Sequence, residues 1–233
     1  MSLSPRKFLQ YSQALEAFPL NVRNAIYARS EYRDYKNGDY IFRSGDEGPY
    51  FMAGVMSGRL RMGVRSQEGK EMLFTMVEKG EVFGEMSVLD ELPRAVDVMA
   101  TTDTTLMIMK RDDLLPHLRT CPEAMLSLFR ITCYRMRLYI HTMELLALQN
   151  VTKKLGRYLL RLGRDYGVEK DGTLVISSHL SQADIGLQLG VSRESINKQL
   201  NTFAEQGFLR HSSDEIVLCD IEGLKRSIAA VGV

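Results

Sequence analysis

Residues 182–200, QADIGLQLGVSRESINKQL, carry the most decisive pattern in this 233-residue chain. Ile185 and Leu189 are four apart, as are Ile196 and Leu200, so each pair falls on one face of a helix. Between them Gly190 supplies a tight turn and Val191 an apolar plug for the corner. Ser181 and Ser192 stand where hydroxyls cap the first free amides of the two helices, and Gly186 lets the second helix come close to the first. A small residue, a turn glycine and two aliphatic pairs at these offsets predict a helix-turn-helix. Gly207-Phe208-Leu209 and then Glu215–Leu218 predict a two-stranded wing after it.

The outer face of the second helix carries the chemistry. Ser192, Arg193, Glu194, Ser195 and Lys198 lie at and just beyond its N-terminus, where base edges of double-stranded DNA are met in this geometry. Arg193 can pair with guanine through two hydrogen bonds, Glu194 can accept from cytosine N4, and Lys198 can reach a base or a phosphate. The hydroxyls of Ser181, Ser192 and Ser195, with Gln182, suit phosphate oxygens. The competing explanation is a solvated Arg193–Glu194 pair on a helical hairpin; the full set of packing positions beneath it argues the other way. The formal net charge is only +1, and neither residues 1–149 (19 basic, 19 acidic) nor 150–233 (11 basic, 10 acidic) form a polycation. Any nucleic-acid contact must come from a local surface.

Upstream the rhythm is different. Residues 31–110 read as short strands punctuated by Asn37-Gly38, Ser44-Gly45, Gly48-Pro49, Ser57-Gly58, Glu68-Gly69 and Lys79-Gly80, with alternation in Arg59–Arg65 and Met72–Val77. That predicts an antiparallel barrel or sandwich, with one more strand in Asp103–Lys110 and a helical segment over Pro5–Ser30 packed on it. From Pro122 to Gln149 no glycine or further proline intervenes. Phe129, Met136 and Met143 are seven apart, as are Thr132, Tyr139 and Leu146, which together form the seam of a coiled coil and predict a homodimer. A stripe packed on the chain's own core is the alternative. Asn150 is placed to cap a new helix over Val151–Tyr166, so the junction reads as a hinge. Gly167–Thr173 reads as turn before a short strand in LVISS. The fold class is α+β.

Inside the strand-rich part, Phe83–Ala95 (FGEMSVLDELPRA) reads as a small-anion site. Gly84 lets backbone come close to a ligand, a short helical turn aims free amides, and Arg94 offers a guanidinium fork to phosphate. Glu85 could accept from a ribose hydroxyl; a plain Glu85–Arg94 salt bridge is the duller possibility. Other chemistries find little support. Cys121, Cys133 and Cys219 form no CxxC pair, and His117, His141, His179 and His211 show no zinc spacing, so no metal is expected. GxSxG, P-loop and GxGxxG motifs are missing, and no enzyme is expected. No apolar run is long enough to span a bilayer and the first residues lack a signal-peptide core, so a cytoplasmic protein without membrane contact is expected.

The order of barrel, Gly-Glu…Pro-Arg-Ala cassette, heptad helix, hinge and helix-turn-helix resembles the cyclic-AMP receptor protein/FNR (Crp/Fnr) superfamily of bacterial transcription regulators over about residues 15–222. The resemblance implies a cyclic-nucleotide-binding β-barrel (jelly roll) over 1–121, a dimerisation helix over 122–149 and a winged helix-turn-helix over 150–233. It implies that the cassette, with Phe83, Gly84, Met86, Arg94 and Ala95, holds a cyclic phosphate and Glu85 the ribose 2′-hydroxyl. Phe74 and Thr75 match positions lining the base, and Arg135 matches a helix arginine near the pocket's acid. Arg193 and Glu194 match the family's Arg-Glu pair, which implies a palindromic site with TGT- or TGTGA-like half-sites.

The chain also departs from that pattern. Tyr139 and Ile140 stand where two hydroxyl residues read adenine, Ala95 where serine or threonine often assists phosphate, and Lys198 where arginine is customary. Val96 and Asp97 replace small or neutral residues. No cysteine or histidine matches an iron–sulfur or haem-sensing position. The expectation is therefore a homodimeric regulator of transcription controlled by cyclic AMP, or cyclic GMP, with RNA polymerase as a further partner. The same regulator with a non-nucleotide effector, or with constitutive DNA binding, is the alternative, and a barrel-pocket enzyme a more distant one.

Overall fold

Turn glycines alternating with apolar runs shape the first half of the chain. The computed structural model describes residues 19–66, 68–148, 150–177, 181–212 and 215–230, which fall into two compact units, one ending at Arg137 and the other beginning at Leu138. The first unit opens with α1 (Leu20–Arg29), followed by β1 (Glu31–Tyr35), β2 (Tyr40–Phe42), β3 (Phe51–Ser57), β4 (Arg59–Arg65), β5 (Glu71–Glu78) and β6 (Val82–Phe83). A short α2 (Glu85–Asp90) precedes β7 (Asp97–Ala100), β8 (Thr104–Lys110) and α3 (Arg111–Thr120). The long helix α4 (Pro122–Leu148) runs through the unit boundary. Of the expected helical segment at 5–30, residues 5–18 lie outside the described residues, as does Gln149 at the end of the heptad segment.

The strands form two four-stranded antiparallel sheets, in the orders β1-β8-β3-β6 and β2-β7-β4-β5. One apolar core takes Val55 and Ile108 from the first sheet and Leu60, Val77 and Val98 from the second. This is a jelly-roll sandwich with two separate ladders rather than a closed barrel. Burial in β4 alternates as the sequence does, with Leu60 and Met62 inward. Strand β8 instead buries four successive residues, Leu106–Met109, because both its faces are covered. Leu106 and Ile108 enter the sandwich core, while Met107 and Met109 join a second cluster with Ile26, Leu114 and Leu128 of the helices.

The second unit contains α5 (Val151–Tyr166), β9 (Val168–Lys170), β10 (Thr173–Ser177), α6 (Gln182–Leu189), α7 (Arg193–Glu205), β11 (Leu209–His211), β12 (Glu215–Leu218) and α8 (Ile221–Ala230). The predicted helix-turn-helix and wing are α6–α7 and β11–β12, and Leu155, Leu159, Ile185, Ile196, Leu200 and Leu224 share one core. The stretch 167–173, expected as turn, is corrected: Val168–Lys170 pairs with β10 through the two-residue loop Asp171-Gly172, both at positive φ (49° and 72°). That geometry is the Asp-Gly hairpin turn, and it extends the wing to a four-stranded sheet in the order β11-β12-β10-β9. No helix among the described residues is long and apolar enough to cross a membrane.

Leu106 is fully buried between the sheets. Leu106→Ala is expected to destabilise the protein by about 2–5 kcal/mol, read as a lower denaturant midpoint at unchanged slope.

Candidate functional site

The cassette is built around an arginine that turns inward. After β6 the chain bends at Gly84, with φ 83°; a Cβ there would stand 2.8 Å from the Phe51 carbonyl oxygen and 3.1 Å from Arg94 Nη1. Glycine is thus what allows the guanidinium to close on the turn. The Arg94 backbone is fastened to the 43–46 turn, its amide donating to Asp46 O (2.9 Å) and its carbonyl accepting from Gly45 (2.7 Å). Its side chain donates to Gly84 O (3.2 Å) and Phe51 O (3.1 Å) and lies 4.2 Å from the Phe42 ring centre and 4.5 Å from that of Phe51. It is 4% exposed and makes no ion pair among the described residues. Burial pulls its pKa below the ordinary arginine value, opposed by the electrostatic influence of Tyr50 and then of Asp46 and Glu85. It stays cationic, and neutral carbonyls bring it hydrogen bonds but no opposing charge, which a bidentate anion would supply.

The duller possibility, Glu85 bound to Arg94, is not what is observed. Glu85, nearly fully buried at the first position of α2, receives Arg135 Nη1 at 2.5 Å, while Arg135 Nη2 donates to Val82 O at 2.5 Å. The cassette is thereby joined to α4. The pair engages Glu85 Oε2, and a carboxylate has further acceptor capacity on its other oxygen.

The remaining pocket candidates are distributed unevenly. Phe83 is wholly buried, 5.9 Å centre to centre from Phe42, so it supports the cassette from within the core. Phe74 and Thr75 are half-buried on β5, where pairing shifts from Met62↔Thr75 to Gly63↔Leu73 and leaves Phe74 as the extra residue of a bulge. The Thr75 hydroxyl donates to Met76 O (3.1 Å). Met86 and Ala95 are exposed. The carboxylate of Asp97 accepts the Ser44 amide at 2.8 Å, which gives that added charge a donor on the 43–46 turn. Tyr139, half-buried, and Ile140, exposed, belong to the stretch of α4 assigned to the second unit. Composition offered no signal for the aromatic enclosure of Arg94 by Phe42 and Phe51, because those rings come from separate strands.

Along α4, Phe129, Met136 and Met143 of the expected seam are exposed, whereas Thr132, Tyr139 and Leu146 are half-buried. The Thr132 hydroxyl donates to Leu128 O (3.1 Å), and Leu146 Cδ2 lies 3.0 Å from where a Cβ on Gly190 would be. The exposed line is Leu126, Phe129, Cys133, Met136, Ile140 and Met143, which also steps by three and four.

In the second unit both predicted serine caps form. Ser181 Oγ accepts the Asp184 amide (3.1 Å) and Asp184 accepts the Ser181 amide (3.0 Å), a reciprocal capping box. Ser192 Oγ accepts the Ser195 amide (3.1 Å), and the two serine hydroxyls lie 2.9 Å apart. Gly186 is required by close approach, since a Cβ would stand 2.7 Å from Val191 O. Arg193, Glu194 and Lys198 are exposed together. From α5, Thr152 donates to Gln199 (2.7 Å) and the buried Lys154 to Leu189 O at the end of α6 (3.4 Å), where a cation suits the helix dipole. Asn150 caps α5 by accepting the Lys153 amide (3.0 Å), and Arg157 reaches across it to Glu144 (3.0 Å).

Residues 32–121 match the cyclic nucleotide-binding domain family and residues 153–227 the Crp-like helix-turn-helix domain family. The chain is 30% identical over 193 residues to a CRP-like cAMP-activated global transcriptional regulator of Mycobacterium tuberculosis, covering 83% of this chain and 86% of that one. It is 32% identical over 178 residues to the Cyclic AMP receptor protein of Thermus thermophilus, covering 76% and 79%. Among solved structures, a CooA mutant from Carboxydothermus hydrogenoformans aligns with TM-score 0.78 at 19% identity, over 91% of this chain and 95% of that one, a likeness of fold.

Breaking the buried pair leaves an uncompensated charge. Arg135→Ala is expected to cost about 3–5 kcal/mol of stability in urea unfolding, with the double variant Glu85→Gln/Arg135→Met recovering much of it.

Proposed function

The chain belongs to the Crp/Fnr superfamily of transcription regulators, with an effector-binding domain and a DNA-binding helix-turn-helix, and from this we propose that it is a homodimer controlled by cyclic AMP. The carrying observation is Arg94, a buried guanidinium whose hydrogen bonds go to two neutral carbonyls at the end of a glycine turn. Two relatives described by cyclic AMP support the choice of nucleotide. The effector domain occupies 1–121, the dimerisation helix 122–149 and the DNA-binding domain 150–233.

In this mechanism the cyclic phosphate takes the Arg94 fork from the Gly84 and Phe51 carbonyls, and the ribose hydroxyl donates to Glu85 while Arg135 stays on its other oxygen. Phe74, Thr75, Met86 and Ala95 line the ligand. Its hold on Glu85 is felt by α4 through Arg135, so nucleotide favours one arrangement of the long helices. A ligand shifts that equilibrium only by its differential affinity for the two states. Asn150 is the hinge through which Arg193, Glu194 and Lys198 are presented to base edges, and Ser181, Gln182, Ser192 and Ser195 to phosphates, of an inverted-repeat site. RNA polymerase is the partner that reads the DNA-bound dimer. A second reading, the same regulator tuned to cyclic GMP or to a non-nucleotide effector, rests on Tyr139 and Ile140, which offer one phenol where two hydroxyls read adenine.

Calorimetric titration with each cyclic nucleotide tests the pocket. Arg94→Gln is expected to weaken cyclic AMP binding at least tenfold and to remove the nucleotide dependence of DNA affinity; an intact response in that variant refutes the assignment. The dimer seam is proposed to follow the exposed line through Cys133, which places the two Cys133 thiols within disulfide reach across a parallel helix pair. Mild oxidation is expected to give a covalent dimer on non-reducing gels, lost in Cys133→Ser and retained in Cys219→Ser.

A further inference from the structure

Helix α7 carries three amide side chains, and the structure gives them different surroundings. Gln199 is half-buried and accepts the Thr152 hydroxyl at 2.7 Å, which fastens α7 to α5. Asn201 Oδ1 meets His211 Nε2 at 3.1 Å, which fastens it to β11 of the wing. Asn197 is exposed, and its Oδ1 accepts a long hydrogen bond, 3.4 Å, from Gln182 Nε2 at the start of α6.

Position matters as much as exposure. Asn197 follows Arg193 by four residues, so it is turned by about 40° and lies about 6 Å further along the helix axis. That places it next to Arg193 and Glu194, at the four- and three-residue spacings of helix-surface neighbours, on the exposed face that also carries Lys198. We propose that Asn197 reads an adenine in each half-site, beside the base met by Arg193, and that Gln182 is a positioning residue for its amide. The inference rests on the helix-turn-helix being the DNA-reading element and deepens it by assigning a base.

The chemistry is a match of edges. In the major groove adenine shows an acceptor, N7, next to a donor, the N6 amino group, and a carboxamide answers with Nδ2 donating and Oδ1 accepting. An amide oxygen has two acceptor sites, so Oδ1 can keep Gln182 and still take the N6 proton. The Gln182 donor also selects the amide orientation, because the flipped rotamer would set two N–H groups against each other. Aspartate has the same shape but no donor for N7, which separates chemistry from volume.

The test is selection from a pool of randomised inverted repeats by the full-length protein with cyclic AMP, followed by competition assays. Wild type is expected to select an A·T pair adjacent to a preferred guanine. Asn197→Ala and Asn197→Asp should each lower that A·T preference roughly five- to a hundredfold and leave the guanine preference intact, and Gln182→Ala should lower it less. An unchanged base profile in Asn197→Ala overturns the proposal, as does an equal loss of affinity on every sequence, which would make Asn197 a phosphate contact. Wild-type protein that selects no inverted repeat, with or without nucleotide, sinks the DNA-site reading itself and this assignment with it.

Discussion

A carboxylate and a guanidinium withdrawn from water, Glu85 and Arg135, set the constraint on which the effector domain is organised. Desolvating two charges costs more than their attraction readily returns, so a buried pair of this kind is poor evidence for added stability. It is good evidence for registry. Because either charge alone would be stranded, the start of α2 and the middle of α4 are obliged to stay together, and the second Arg135 bond to Val82 O ties the helix to the strand before the turn as well. Arg94 approaches the same turn from its far end, through the Gly84 carbonyl. The cassette is thus held between two arginines, one already matched by a carboxylate and one met by carbonyls and aromatic faces.

That asymmetry gives the proposed effector its leverage. A ligand that brought negative charge to Arg94 and a hydroxyl to Glu85 would change the environment of both ends at once, and α4 is connected to one of them by an ion pair. Phe83, Val82 and Val88 beneath the cassette are fully buried, and packing of that kind would make the proposed response discrete rather than gradual. In the DNA-binding unit the corresponding rigidity comes from polar contacts laid over an apolar core. Lys154 and Thr152, within the first turn of α5, grip the end of α6 and the flank of α7, so the recognition helix is oriented by the segment that Asn150 caps.

Local features proved legible from residue order. The caps at Ser181, Ser192 and Asn150, the turns of the sandwich and the α5 boundaries all depend on chemistry within four residues, where propensity is informative. The same is true in principle of β9, whose Asp171-Gly172 loop carried the hairpin signal, but a strand of only three residues with every side chain exposed shows no apolar rhythm. Helix α3 lacked local signals as well: no side chain caps it, it follows directly on β8, and Pro116 lies inside it. The heptad of α4 was visible, yet a three-four repeat fits two adjacent stripes on one helix. Which stripe stays outside depended on what covered Thr132, Tyr139 and Leu146.

By itself the sequence determined the succession of strand-rich segment, long helix and DNA-binding module, the helix-turn-helix with its caps and glycines, and the candidate anion cassette, because each follows from periodicity or from backbone demands met by neighbouring residues. The resemblance implied that Arg135 comes near the acid of the cassette, and the tertiary structure decided that Glu85 pairs with it, 50 residues away, and not with Arg94. The tertiary structure alone placed Arg94 against Phe42 and Phe51, made Phe83 a core residue, and separated Asn197 from the two other amides of its helix. Charge pairing and enclosure depend on which distant strands and helices meet, and no spacing along the chain encodes the direction from which a partner arrives.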